Sequence, residues 1–151
     1  MLQPLRIRFE PQLEDGYCLP ACVRMVLAAQ GLDVSQGRIS HLLATTEAGT
    51  PFSRLHRLSS LGVPVQIGVD GTLQQLLTTI ATNVPVIAAV HAGWLPYARI
   101  ESPHAVVVAG ASTAALTIFD PATANGPVDV PFDAWLAAWT EMDLGYAIIR
   151  R

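Results

Sequence analysis

The chain has 151 residues, of which 51% are hydrophobic and only 14% charged, with a net charge of -3 and a pI near 5.7. That length suffices for one domain with a substantial core, and so little charge argues against long disordered stretches. The absence of a Lys/Arg cluster argues against nucleic acid as a partner, and the longest apolar runs, such as Ala105 to Ala111, fall short of the roughly 18–20 residues a membrane span needs.

In chain order, Leu2, Leu5, Ile7 and Phe9 alternate with polar neighbours, which predicts an edge strand over Met1 to Glu10 rather than an export signal. A soluble chain in the cytoplasm is therefore expected. Cys22, Met25, Val26 and Ala29 then recur at helical spacing, predicting a helix from Cys18 to Gln30 that Gly31 ends. Pro20 suits its first turn, where a missing N–H costs no hydrogen bond. A short helix is predicted over Ser35 to Leu43. Thr50-Pro51 reads as an N-cap followed by a first-turn proline, opening a third helix through Phe52, Leu55, Leu58 and Leu61 to Gly62.

Val63 to Val69 follows as a strand, Asp70-Gly71 as a turn, and Thr72 as the cap of a helix carrying Leu73, Leu76, Leu77 and Ile80 inward. Beyond it, Pro85 to His91, Ala105 to Ala109, Ala115 to Phe119 and Tyr146 to Ile149 are short apolar or β-branched runs divided by Gly, Pro, Asn and Ser. That is the chemistry of strands and turns. One more helix, Phe132 to Trp139, is expected to lay its aromatics on the sheet. Helices first and strands last predict an α+β fold, a single domain over residues 1–151 with N-terminal helices packed on a mostly antiparallel C-terminal sheet.

A thiol is nucleophilic only as the thiolate, a form favoured by a helix N-terminus or a neighbouring imidazole. Cys18 stands at the predicted helix mouth after Gly16-Tyr17, whereas Cys22, one turn further in, faces the core stripe like an ordinary buried thiol. A disulfide between them is disfavoured, because the helix directs both side chains. Cys-x-x-x-Cys also lacks the four ligands of structural zinc and the two-residue spacing of thiol redox motifs. No metal or other cofactor is expected.

A base and its orienter are expected from a hairpin. With a turn over Ala111 to Ala114, antiparallel pairing sets His104 opposite or diagonal to Asp120. His104, Val106 and Val108 then share a face with Asp120, Ile118 and Leu116, because side chains alternate with period two. A carboxylate so placed holds the imidazole in the tautomer that accepts a thiol proton. Gln12, six residues before Cys18, is the candidate oxyanion donor together with the Cys18 backbone N–H. His41 and His56 lie on predicted helices without a partner motif and read as surface residues. His91 ends a strand ahead of Ala92-Gly93-Trp94 and reads first as core or loop packing, with the alternative that the loop borders a cleft where Trp94 and Tyr97 supply an apolar subsite.

Gln12, Cys18, Ala21, Met25 and Gly31, in that spacing, resemble the opening of the bacteriocin-processing, double-glycine leader peptidases, which are papain-like domains often fused to peptide exporters. Thr50, Leu58 and Leu61-Gly62 are similar to that family's middle helix, and Pro85-Val86-Ile87 to its central strand. His104-Ala105-Val106-Val107 resembles its histidine strand, and Asp120-Pro121-Ala122 its aspartate-proline turn, so nearly the whole chain is covered. The resemblance implies a papain-like fold and a cysteine peptidase with Cys18 as nucleophile, His104 as base, Asp120 as orienter and Gln12 in the oxyanion hole. Where the family usually has Asp before the cysteine and Gly after it, this chain has Tyr17 and Leu19. These imply a bulkier cleft, lined in part by both, and a relaxed demand for Gly-Gly before the cut. No transporter segment accompanies the motifs, which implies a free-standing relative acting on a peptide or protein, with any export left to a separate exporter chain. Two other readings use the same residues: a peptide-binding module without turnover, and an acyltransferase of transglutaminase-like type.

Overall fold

A computed structural model of the chain describes residues 3–151, so the Met1 and Leu2 portion of the expected edge strand lies outside the described residues. Three helical segments come first: α1 (Cys18–Ala29), α2 (Gln36–Leu43) and a 3₁₀ helix (Phe52–Leu61). Then follow β1 (Val65–Gly68), α3 (Leu73–Ala81), β2 (Val86–His91), β3 (Pro103–Ala111), β4 (Ala115–Phe119), β5 (Val128–Pro131), α4 (Phe132–Thr140) and β6 (Tyr146–Ile149). The strands form one sheet in the order β1-β6-β2-β3-β4-β5, and every adjacent pair is antiparallel.

Local chemistry explains the boundaries. Ser35 caps α2 by accepting from the Arg38 N–H, and Thr72 caps α3 by accepting from the Gln75 N–H. The third helix is 3₁₀ rather than α, with Leu55 and Leu58 as its buried residues. Its apolar residues 52, 55, 58 and 61 recur every third position, which is the 3₁₀ period. Thr50 does not cap it; its hydroxyl pairs with that of Thr45, and Pro51 takes the cap position.

Two expectations need correction. The segment up to Glu10 forms no regular strand over residues 3–10. Pro4 has no N–H to offer a ladder, and the segment is tied instead by Leu5 N–H to the Ala109 carbonyl at 2.8 Å. Leu5, Ile7 and Phe9 pack against the core from there. Strand β5 was not anticipated, because its four residues include a proline and only two valines to signal alternation.

The sheet is buried on both faces. Below it, Cys22, Val23, Val26 and Leu27 of α1 meet Ala105, Val107 and Ala109 of β3 and Ala147 and Ile149 of β6, with Ile39, Leu55 and Leu58 completing the cluster. Above it, Val106, Val108, Ile118, Ala88 and Val90 lie under Leu76 and Ile80 of α3 and Trp135 and Trp139 of α4. The expected helices-on-sheet architecture is present with a second helical layer, which is why the central strands read as continuous apolar runs. Among the described residues, no helix is long and apolar enough to cross a membrane.

Candidate active site

Helix α1 starts at Cys18 because the chain turns sharply just before it. Gly16 has φ +81°, and a Cβ there would fall 2.2 Å from the Thr46 carbonyl oxygen, so only glycine fits. The first helical bond runs from Ala21 N–H to the Tyr17 carbonyl, 3.0 Å. Cys18 and Leu19 therefore keep amide donors without intrahelical acceptors, Pro20 has none to satisfy, and no acidic residue in the first turn offsets the positive helix end. Cys18 itself is partly accessible, while Cys22 is fully buried.

The β3–β4 hairpin brings the other two groups up. Val107 pairs with Phe119 and Val108 with Ile118, which continues to put Asp120 beside Val106 and His104 on the diagonal. The pairing of Val106 with Ile118 and Val108 with Leu116 anticipated from numbering is thus displaced by two residues. Next to the turn the pairing is off by three, with Ala111 opposite Leu116, and the bulge between Val108 and Gly110 takes one residue back, so that the net shift of two keeps every side chain on its face. His104 Nε2 meets Asp120 Oδ1 at 2.6 Å, both residues being buried. Cys18 lines the same groove as His104. With Nε2 engaged by Asp120, Nδ1 is the ring atom left for the sulfur.

Burial alone would pull the His104 imidazole down; the hydrogen bond to Asp120, the nearness of the Cys18 thiol and the charges of both outweigh it and raise it from 6.5 to about 9. Asp120 is the mirror case. Its burial favours the neutral acid, but the His104 hydrogen bond and charge, the Tyr97 hydroxyl and the Ala122 N–H hold the carboxyl below the ordinary range. Tyr97 Oη donates to Asp120 Oδ2 at 2.6 Å, and Ala122 N–H to Oδ1 at 2.8 Å. Burial and the Asp120 charge push the Tyr97 phenol up, so it remains a donor. Burial, then the charges of Cys18 and Asp120, also push the Cys22 thiol up, leaving it an inert core thiol.

Cys18 and His104 open onto a groove of about 800 Å³. Thr46, Gly49, Phe52 and His56 form one wall, Ile67, Gly68 and Val69 another, and Ala89, Ala105 and Gly145 lie at its base. No carboxylate lines it, and the guanidinium of Arg54 is turned to the Ala44 carbonyl at 2.7 Å. Of the predicted substrate-binding residues, Leu19 lines the groove from a buried position. Tyr17 does not: its hydroxyl accepts from Ser40 on α2, and it borders a separate hollow with Glu14, Asp15 and Glu47. Trp94 does not either, standing 52% exposed on a short 3₁₀ turn outside the lining. Tyr97 was expected at the same subsite and instead points at Asp120, a role that no local sequence signal marks. His91 Nδ1 accepts from Gly93 N–H in its own turn.

Gln12 is not among the residues that line the groove, and its backbone is tied to the turn after Asp120. Its N–H donates to the Pro121 carbonyl at 2.8 Å, its Nε2 donates to the Glu14 carbonyl at 3.2 Å, and its Oε1 is buried without a partner.

Comparison with known proteins agrees with this architecture. A structure from Bacillus anthracis described as a C39-like peptidase superimposes with a TM-score of 0.83 at 16% identity, covering 99% of this chain and 98% of that one. The peptidase domain of Streptococcus ComA, a bi-functional ABC transporter involved in quorum sensing, gives 0.73 at 19% identity, with 95% and 98% covered. A double-glycine-motif protease from an AMS/PCAT transporter, solved with its leader peptide, gives 0.71 at 19% identity, with 97% and 92% covered. None of the curated proteins matches. The fold is therefore that of papain-like C39 peptidase domains, and since the model of the Peptidase C39-like family matches residues 4–144, the chain belongs to that family.

Proposed function

We propose that this protein is a cysteine peptidase in which Cys18 is the nucleophile, His104 the general base and Asp120 its orienter. The observation that carries the reading is the imidazole of His104, held by Asp120 at 2.6 Å and opening onto the same groove as a cysteine at a helix mouth. The thiolate attacks a peptide carbonyl carbon, and the carbonyl oxygen takes up the negative charge facing the Cys18 N–H and the Gln12 amide. Collapse breaks the C–N bond as His104 gives its proton to the departing amine. Water, deprotonated by His104, then opens the thioester and frees the acid.

The groove supports a peptide substrate with apolar side chains, since its walls carry no carboxylate. Cleavage of a leader from a peptide is the favoured role, because relatives of this fold include a double-glycine protease in complex with a leader peptide. The proposal includes action in the cytoplasm, with a separate exporter for the product.

The test is turnover of a panel of leader-type peptides by wild type, Cys18→Ala and His104→Ala. Each substitution should lower kcat/KM by about 10³-fold or more while circular dichroism stays unchanged. Full activity in the Cys18→Ala protein would overturn the reading.

A further inference from the structure

Gln36 sits in the first turn of α2 and is only 2% exposed. A buried polar side chain must spend its hydrogen bonds inside the protein, and Gln36 spends them across a gap of more than twenty residues. Its Nε2 donates to the Pro11 carbonyl at 2.8 Å, and its Oε1 accepts from the Leu13 N–H at 3.1 Å. Those two partners flank Gln12. Between them the arm has one further tie, from the Gln12 N–H to the Pro121 carbonyl at 2.8 Å. Pro11, Leu13, Glu14 and Asp15 are exposed and belong to no helix or strand, and Leu13 is 70% exposed. A neutral primary amide satisfies both partners at once, whereas a carboxylate has no donor for the carbonyl and an apolar side chain has neither group.

We infer that Gln36 is a positioning residue for the oxyanion arm: by fixing the backbone on both sides of Gln12, it sets where the Gln12 amide stands relative to Cys18. This rests on the reading of Cys18 as nucleophile and Gln12 as oxyanion donor. Donors aimed at a developing charge are effective only when they are already in place, so a loosened arm would weaken the transition state more than substrate binding.

Two reagents that use the same sulfur separate this role from general packing. With iodoacetamide, an S–C bond forms and iodide leaves, and no oxyanion arises. With p-nitrophenyl acetate, the S–C bond forms while the carbonyl oxygen becomes negative, p-nitrophenolate leaves, and water then releases acetate. Gln36→Met keeps the length and removes both hydrogen bonds; Gln36→Glu keeps the acceptor for Leu13 and loses the donor to Pro11. Gln36→Met should lower kcat on the ester by about 10–100-fold with KM little changed, Gln36→Glu should fall between it and wild type, and alkylation should stay within about twofold in both. Undiminished ester turnover, or alkylation that falls in step with it, would overturn the inference. If Gln36→Met does not fold, the same comparison is made on Gln36→Glu. A Cys18→Ala protein that still turns over the ester would bring down the peptidase reading and this one with it; Cys18-dependent turnover that ignores Gln36 removes this one alone.

Discussion

His104 carries opposing influences, and their balance has consequences for pH. Folded, its imidazole keeps its proton up to about 9, against 6.5 for the free group, so its contribution to stability is complete below about 6.5 and is lost as pH rises through about 9. Asp120 behaves in the opposite sense: its lowered carboxyl contributes above 3.8 and loses that contribution as pH falls through its folded value. Urea denaturation should therefore show greatest stability between about pH 4 and 6.5. The decline toward pH 9 should be shallower in His104→Gln. The alkaline limb of turnover should lie near pH 9 and follow the same histidine. At Cys22, burial predicts the reverse of Cys18: Cys22→Ala should cost about 1 kcal/mol of stability and leave the rate of thiol alkylation unchanged, as read by intact mass.

The elements that hold the site can be tested separately. Gly16→Ala places a Cβ 2.2 Å from the Thr46 oxygen at a φ of +81°, so it should destabilise by about 2 kcal/mol or more and slow turnover by displacing the start of α1. The two tryptophans of α4 differ in a way composition does not show. Trp139 Nε1 donates to the Gly145 carbonyl at 2.9 Å at the groove base, whereas Trp135 Nε1 is buried without a partner. Phenylalanine at 139 should therefore cost about 1–2 kcal/mol more than phenylalanine at 135, measured by chemical denaturation.

Across the whole molecule, what the sequence disclosed depended on how local the signal was. The start of α1 was legible because Pro20 and an apolar stripe mark it within a few residues. The meeting of His104 with Asp120 was legible for a different reason: side-chain parity survives a net register slip of two, and the unforeseen bulge is the step that restores that parity. The apolar pattern in residues 52–61 marked a helix but not its 3₁₀ winding. The positions of Tyr17, Trp94 and Tyr97 were not legible. Each sits beside a motif in sequence, yet its direction is set by a distant partner or by solvent: Ser40 for Tyr17, Asp120 for Tyr97, and open exposure for Trp94. Gln36 gave no signal at all, since a glutamine following a helix cap is ordinary until the loop it grips is seen.

Strand β6 lies between β1 and β2 although it is the final element of the chain. The sheet is therefore closed from the inside by the strand that comes last in the order of elements. Without Tyr146–Ile149, β1 has no strand to join it to β2, and Gly145 and Met142 are not in place at the groove. Cys18, His104 and Asp120 come from elements that meet without β6, whereas the groove wall carried by β1 joins them only through it. Assembly of the groove thus depends on a long-range pairing, β1 with β6, that no local segment can make by itself.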